Sequence, residues 1–116
     1  MDKRFAETPE PPYYAVIFSA LQRADAPGYE NMATKMVELA TAEADFLGVE
    51  STRGADGLGI TVSYWRSEAG IAAWKHNLKH AAAQQLGMDR WYHFYALRVA
   101  KVERAYTGPA GREPVP

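Results

Sequence analysis

The residues best suited to chemistry crowd into one stretch of the chain. Between Gly57 and Arg104 lie all three tryptophans, Trp65, Trp74 and Trp91, and all three histidines, His76, His80 and His93. Tyr64 and Tyr95 add phenol rings, Arg66 and Arg98 add guanidinium groups, and Gln84 adds an amide. Indole and phenol rings can wall a slot for a flat molecule. Imidazole changes charge near neutrality and so can move a proton. A guanidinium can steady negative charge as it develops on a substrate oxygen. This is the composition of a small-molecule pocket. It is equally the composition of a well-filled core, in which Trp65 and Trp74 pack and His93 is hydrogen-bonded inside or at an interface.

Other chemistries find less support. His76 and His80 are four residues apart, a spacing that can pair two imidazoles on a helix. No carboxylate stands at ligand spacing beside them, and Lys75 and Lys79 flank the pair, so no metal is expected. Cysteine is absent, which excludes disulfides, thiolate nucleophiles and thiolate metal sites. A net charge of -1 gives no electrostatic reason to expect nucleic acid or an anionic membrane surface as partner. No segment is long and apolar enough to span a bilayer. The opening residues, MDKRFAETPEPPYY, lack the apolar run of a secretory signal, and a cytoplasmic protein is expected.

The elements that must position these groups can be read from hydrophobic spacing. At 116 residues the chain is expected to form one domain. Residues 1–12, with Pro9, Pro11 and Pro12, are expected to form an extended arm, 13–106 the domain, and 107–116 a loose tail. Tyr13 to Gln22 reads as a strand with two apolar faces, Tyr14, Val16, Phe18 and Ala20 against Tyr13, Ala15, Ile17 and Leu21. Asp25-Ala-Pro-Gly opens a helix in which Tyr29, Met32, Met36 and Leu39 keep helical spacing and fill space. Phe46-Leu47-Gly48 ends this helix and starts a second strand, Val49 to Arg53. A Gly54–Gly57 turn then connects it to a third, Leu58 to Trp65.

Ser67 is placed to cap a second helix, with Glu68 in its first turn. Its inward stripe is Ile71, Trp74, Leu78, Ala81, Ala82 and Gln85, and Gly87 is a plausible stop. Ideal geometry puts His80 roughly opposite Ile71 and Leu78, facing water, unless WKHNLKH is a bend that resets the helix phase. Trp91 to Tyr106 reads as a long last strand, with Trp91, His93, Tyr95, Leu97 and Val99 on one face. Tyr92, Phe94, Ala96, Ala100 and Val102 occupy the other. The order is βαββαβ, an α+β, ferredoxin-like antiparallel sheet. Two helices cover one sheet face only. A second copy is the simplest cover for the other, which predicts a homodimer closing a barrel across a two-fold axis.

From Tyr13 to Arg104 the chain resembles the antibiotic biosynthesis monooxygenase family of the dimeric α+β barrel superfamily. The residues that carry the resemblance are Phe46-Leu47-Gly48 with Glu50-Ser51, Gly57-Leu58-Gly59, and Ser63-Tyr64-Trp65 before the second helix. The series Trp74, His80, Gln84, Gly87 and Trp91-Tyr92 completes it. The resemblance implies a cofactor-free oxygenase acting on a small aromatic or quinone-like compound. Such a substrate becomes an electron-rich carbanion and reduces oxygen itself, so the site must bind a flat ring, relay a proton and stabilise an oxyanion. On that reading His80, Trp65 and Arg98 are the catalytic candidates. Trp74, Tyr64, Gln84, His93 and Tyr95 are expected to bind substrate, and no cofactor or metal is required.

The same family resemblance offers a haem-binding or haem-degrading alternative. Those relatives place a Trp on this helix, a ligating His about three turns on and an Asn on the first strand. Trp74 matches the first role, Gln84 falls at the ligand position with His80 one turn earlier, and the first strand has no Asn. A non-catalytic dimeric barrel that binds a small ligand is the third reading.

Overall fold

Tyr13–Gln22, dense in aromatic and β-branched residues, forms the inner strand β1 and sets the register of the whole sheet. The computed structural model describes residues 2–25, 29–84 and 88–109, with backbone alone for 29–33 and 82–84. After β1 come α1 (Tyr29–Thr41), β2 (Phe46–Arg53), β3 (Leu58–Trp65) and α2 (Glu68–Gln84). A short 3-10 helix (Met88–Arg90) and β4 (Tyr92–Val102) complete the order. The strands lie β2-β3-β1-β4, and every neighbouring pair is antiparallel. This is the ferredoxin-like arrangement expected from the sequence. The opening of α1 at Ala26-Pro27-Gly28 and the stop at Gly87 lie outside the described residues.

Period-two alternation divides the sheet into two faces. Val16, Phe18 and Ala20 of β1 point to the helices and are buried there with Trp65, Ala40, Ile71, Trp74, Leu78 and Ala81. Ile71, Trp74, Leu78 and Ala81 of the expected α2 stripe therefore form its core face, while the Ala82 side chain and Gln85 lie outside the described residues. The helix is continuous through the WKHNLKH segment, so no bend resets its phase, and His76 and His80 are exposed. Ser67 caps it as its position predicts: the Gly70 amide donates to Ser67 Oγ at 3.2 Å. Ser67 Oγ in turn donates to Asp45 Oδ2, which ties the helix start to the segment entering β2.

Two irregularities depart from simple alternation. The helix α1 ends at Thr41 and not at Phe46–Gly48 as its spacing predicts, β2 begins at Phe46, three residues before the expected Val49, and the β2–β3 register shifts between Phe46 and Gly48. Phe46 earns its place there by packing edge-on against the Trp65 ring, centroids 5.4 Å apart. In β4, Gln22 faces Tyr92 while Leu21 faces Phe94, which leaves His93 as the extra residue of a bulge. The bulge moves Tyr92 onto the helix face, where it is buried, and leaves His93 exposed. The expected grouping of Trp91 and His93 with Tyr95 on one alternating face is thereby corrected. Gly57, at φ +91°, closes the hairpin turn in a conformation that a side chain would strain.

Among the described residues, the second sheet face is covered at one end only. There the N-terminal arm lies across it. The Ala6 amide donates to Glu50 Oε2 at 3.0 Å, and the Thr8 hydroxyl donates to Tyr13 Oη at 3.1 Å. Tyr13 is buried beneath this end. At the other end Leu58, Ile60 and Phe94 are bare, with 52%, 43% and 65% of their surfaces exposed.

Candidate functional site

A cavity of about 160 Å³ lies between the helix face of the sheet and the two helices. Its floor is a small grid fixed by strand register. Val49, Ser63 and Val16 form one rung, Ser51, Thr61 and Phe18 the next, and Arg53, Gly59 and Ala20 the third. Met36, Val37 and Ala40 of α1 and Trp74 of α2 form the roof, with Phe46 and Tyr92 at the sides. The wall is mostly hydrocarbon and aromatic carbon. Size and lining match what a buried one-ring compound needs, since an apolar cavity of roughly 150 Å³ suffices to hold benzene.

Trp74 is the sequence candidate that lines the cavity. Its indole Nε1 donates to the Met36 carbonyl at 3.2 Å, which fixes the ring between the two helices. Trp65 stands directly behind it, ring centroids 5.4 Å apart, fully enclosed, with its Nε1 donating to Ser63 Oγ at 2.8 Å. Trp65 is thus the backing of the wall and not its surface. Tyr95 is on the helix face but beside the cavity, its ring 5.9 Å from those of Phe18 and Tyr92.

The other candidates point elsewhere. Tyr64 faces the opposite side of the sheet, where its hydroxyl donates to Glu50 Oε1 at 2.7 Å and its ring meets Tyr13 edge-on. Burial, together with that bond and the nearby Glu50 carboxyl, pushes the phenol up to about 12. Arg98 lies opposite Ile17, exposed on that same far face. His80 and His93 are exposed and line no part of the cavity wall. The side chain of Gln84 lies outside the described residues.

Polar groups that the sequence did not single out are built into the floor instead. Ser51 and Thr61 share a hydrogen bond of 2.7 Å across β2 and β3. Arg53 is the charged residue of the wall, and Nη1 of its guanidinium donates to Gln22 Oε1. The guanidinium lies over Gly59, where an added β-carbon would meet its Cζ at 3.4 Å. The alternation Val49, Ser51, Arg53 opposite a glycine was the available signal, but it reads as an ordinary hairpin until register places it under a helix. Among the described residues no group of three His, Asp or Glu side chains is arranged to hold a metal ion.

No family model matches the chain. It is 54% identical over 99 residues to the uncharacterized protein YqjZ of Bacillus subtilis, a match covering 85% of this chain and 87% of that one. Among solved structures, protein SO0527 from Shewanella oneidensis superposes with a TM-score of 0.66 at 10% identity, covering 81% of this chain and 94% of that one. SnoaB, a cofactor-independent oxygenase from Streptomyces nogalater, superposes with a TM-score of 0.61 at 10% identity, covering 85% of this chain and 99% of that one. The chain therefore belongs to the family of Bacillus subtilis YqjZ, and its fold is the one shared by antibiotic biosynthesis monooxygenase-like proteins.

Proposed function

We propose that this protein is a dimeric, cofactor-independent monooxygenase of a one-ring aromatic or quinone-like compound. The observation that carries the reading is the cavity: about 160 Å³, aromatic on its Trp74 side, and, among the described residues, walled without a carboxylate or an imidazole. Such a wall shapes and desolvates a substrate and leaves the electron-rich carbon to the substrate itself. The reaction then needs only dioxygen: a CH2 carbon activated by its phenol becomes a carbonyl, one oxygen atom enters the product and the other leaves as water. The likeness to SnoaB, described as a cofactor-independent oxygenase, supports the same reading. The reading assigns no step to His80, Trp65 or Arg98, which lie outside the wall.

The second copy is proposed to cover the bare end of the far sheet face, around Leu58, Ile60 and Phe94. The haem alternative gains nothing from a wall without imidazole. The lack of an acid–base pair in that wall does favour one other reading, a barrel that binds without turning over. An oxygen electrode separates the two. Oxygen uptake with a one-ring phenol that carries an activated CH2 group, abolished by filling the cavity with Ala40→Phe, supports the oxygenase. Saturable binding without uptake leaves the binding protein.

A further inference from the structure

We propose that Arg53 makes this cavity a site for an anionic ligand, a single aromatic ring carrying a carboxylate on a short chain. The proposal deepens the cavity reading above and rests on it. The wall is chemically graded along β2. Its Phe46 end is aromatic, with Trp74 and Met36 above, and among the described residues nothing charged lines it. Two rungs further on come the Ser51–Thr61 hydroxyl pair and then Arg53. From Val49 to Arg53 is roughly 13 Å of strand, at about 3.3 Å per residue. The Arg53 guanidinium lies over Gly59 on that last rung, so a ring seated between Trp74 and the hydroxyl pair reaches it through a few chain atoms.

The placement of the guanidinium is built and not incidental. Gly59 opposite it has no side chain, which leaves the guanidinium room to lie over that residue. Gln22, at the end of β1, accepts from Nη1 and fixes its direction. A planar fork of N–H donors is the group that best matches a carboxylate. Arg53 is also exposed, so a carboxylate meeting it there keeps part of its hydration, while burial of the same anion at the Trp74 end would be costly. The ligand thus enters ring first and leaves its charge at the mouth. The hydroxyls of Ser51 and Thr61 offer it further hydrogen bonds on the way.

Two probes of nearly equal size test this, 3-phenylpropionate and the neutral 3-phenylpropanol, titrated by calorimetry into the full chain, with circular dichroism confirming the fold of each variant. The wild type should bind the acid more tightly than the alcohol. Arg53→Gln should weaken the acid about tenfold or more and leave the alcohol unchanged. Arg53→Lys, which keeps charge but loses the fork, should fall between. Affinity for the acid alone should decline with added salt. If both probes bind equally and Arg53→Gln alters neither, the anion site is wrong while the cavity reading survives. If neither probe binds, the cavity reading itself falls and the anion site with it.

Discussion

Trp74 is the indole in which core and site coincide. Its indole packs on Trp65, donates to the Met36 carbonyl and faces the cavity, so its loss combines lost packing with the loss of a tie between the two helices. Trp74→Ala should destabilise the fold by about 3–5 kcal/mol, measured by urea unfolding. Trp74→Phe should fold and yet bind one-ring ligands measurably less tightly. Tyr64 belongs to the opposite face and its prediction is one of pH. Its phenol titrates at about 12 in the folded protein against 10.0 when free. A group raised on folding favours the native state fully below its free value and loses that contribution as pH climbs through its folded value. The wild type should therefore lose stability between pH 10 and pH 12 more steeply than Tyr64→Phe, as melting curves across that window would record. The sequence pointed to both residues as aromatic walls. It could not tell them apart, because a strand's two faces become inside and outside only when a helix settles on one of them.

At the scale of elements, most of the pattern was legible because it was periodic. The β1 alternation, the α2 stripe and the Ser67 cap follow from spacing and local hydrogen-bonding chemistry, and each has its expected neighbours in the fold. Ser67→Ala should cost about 1 kcal/mol in a denaturant titration, since it removes the acceptor of the Gly70 amide and loosens Asp45. Where periodicity failed, a ladder had gained one residue. The bulge at His93 is invisible to a period-two reading, which assigned His93 to the face of Tyr95. The bulge before Gly48 likewise brings Phe46 into the core and shifts Val49, Ser51 and Arg53 onto the cavity floor. The candidate site was illegible to that extent: its charged residue is placed by a register shift and by a glycine on another strand.

At the scale of the whole molecule, the far sheet face sets the terms of assembly. The arm seals one end through Ala6, Thr8 and Glu50, and the large apolar side chains of Leu21, Leu58, Ile60 and Phe94 stand bare at the other. Each Å² of apolar surface removed from water there contributes about 25 cal/mol, which favours a partner with the same patch. Light scattering should report twice the 12.9 kDa chain mass at micromolar concentration. Phe94→Glu should give a folded monomer, and the concentration dependence of the melting temperature should vanish with it. A monomeric wild type would remove the dimer from the proposal.

The tryptophan pair behind the cavity also makes the protein an optical instrument. Two indoles with centroids 5.4 Å apart and planes inclined at 39° have electronic transitions close enough to couple. Coupled chromophores give paired circular-dichroism bands of opposite sign, with an amplitude that follows their mutual angle. Trp65 is locked in place, whereas Trp74 presents one face to whatever enters. Any guest that tilts Trp74 would rewrite that spectrum, so occupancy could be followed without label, dye or turnover.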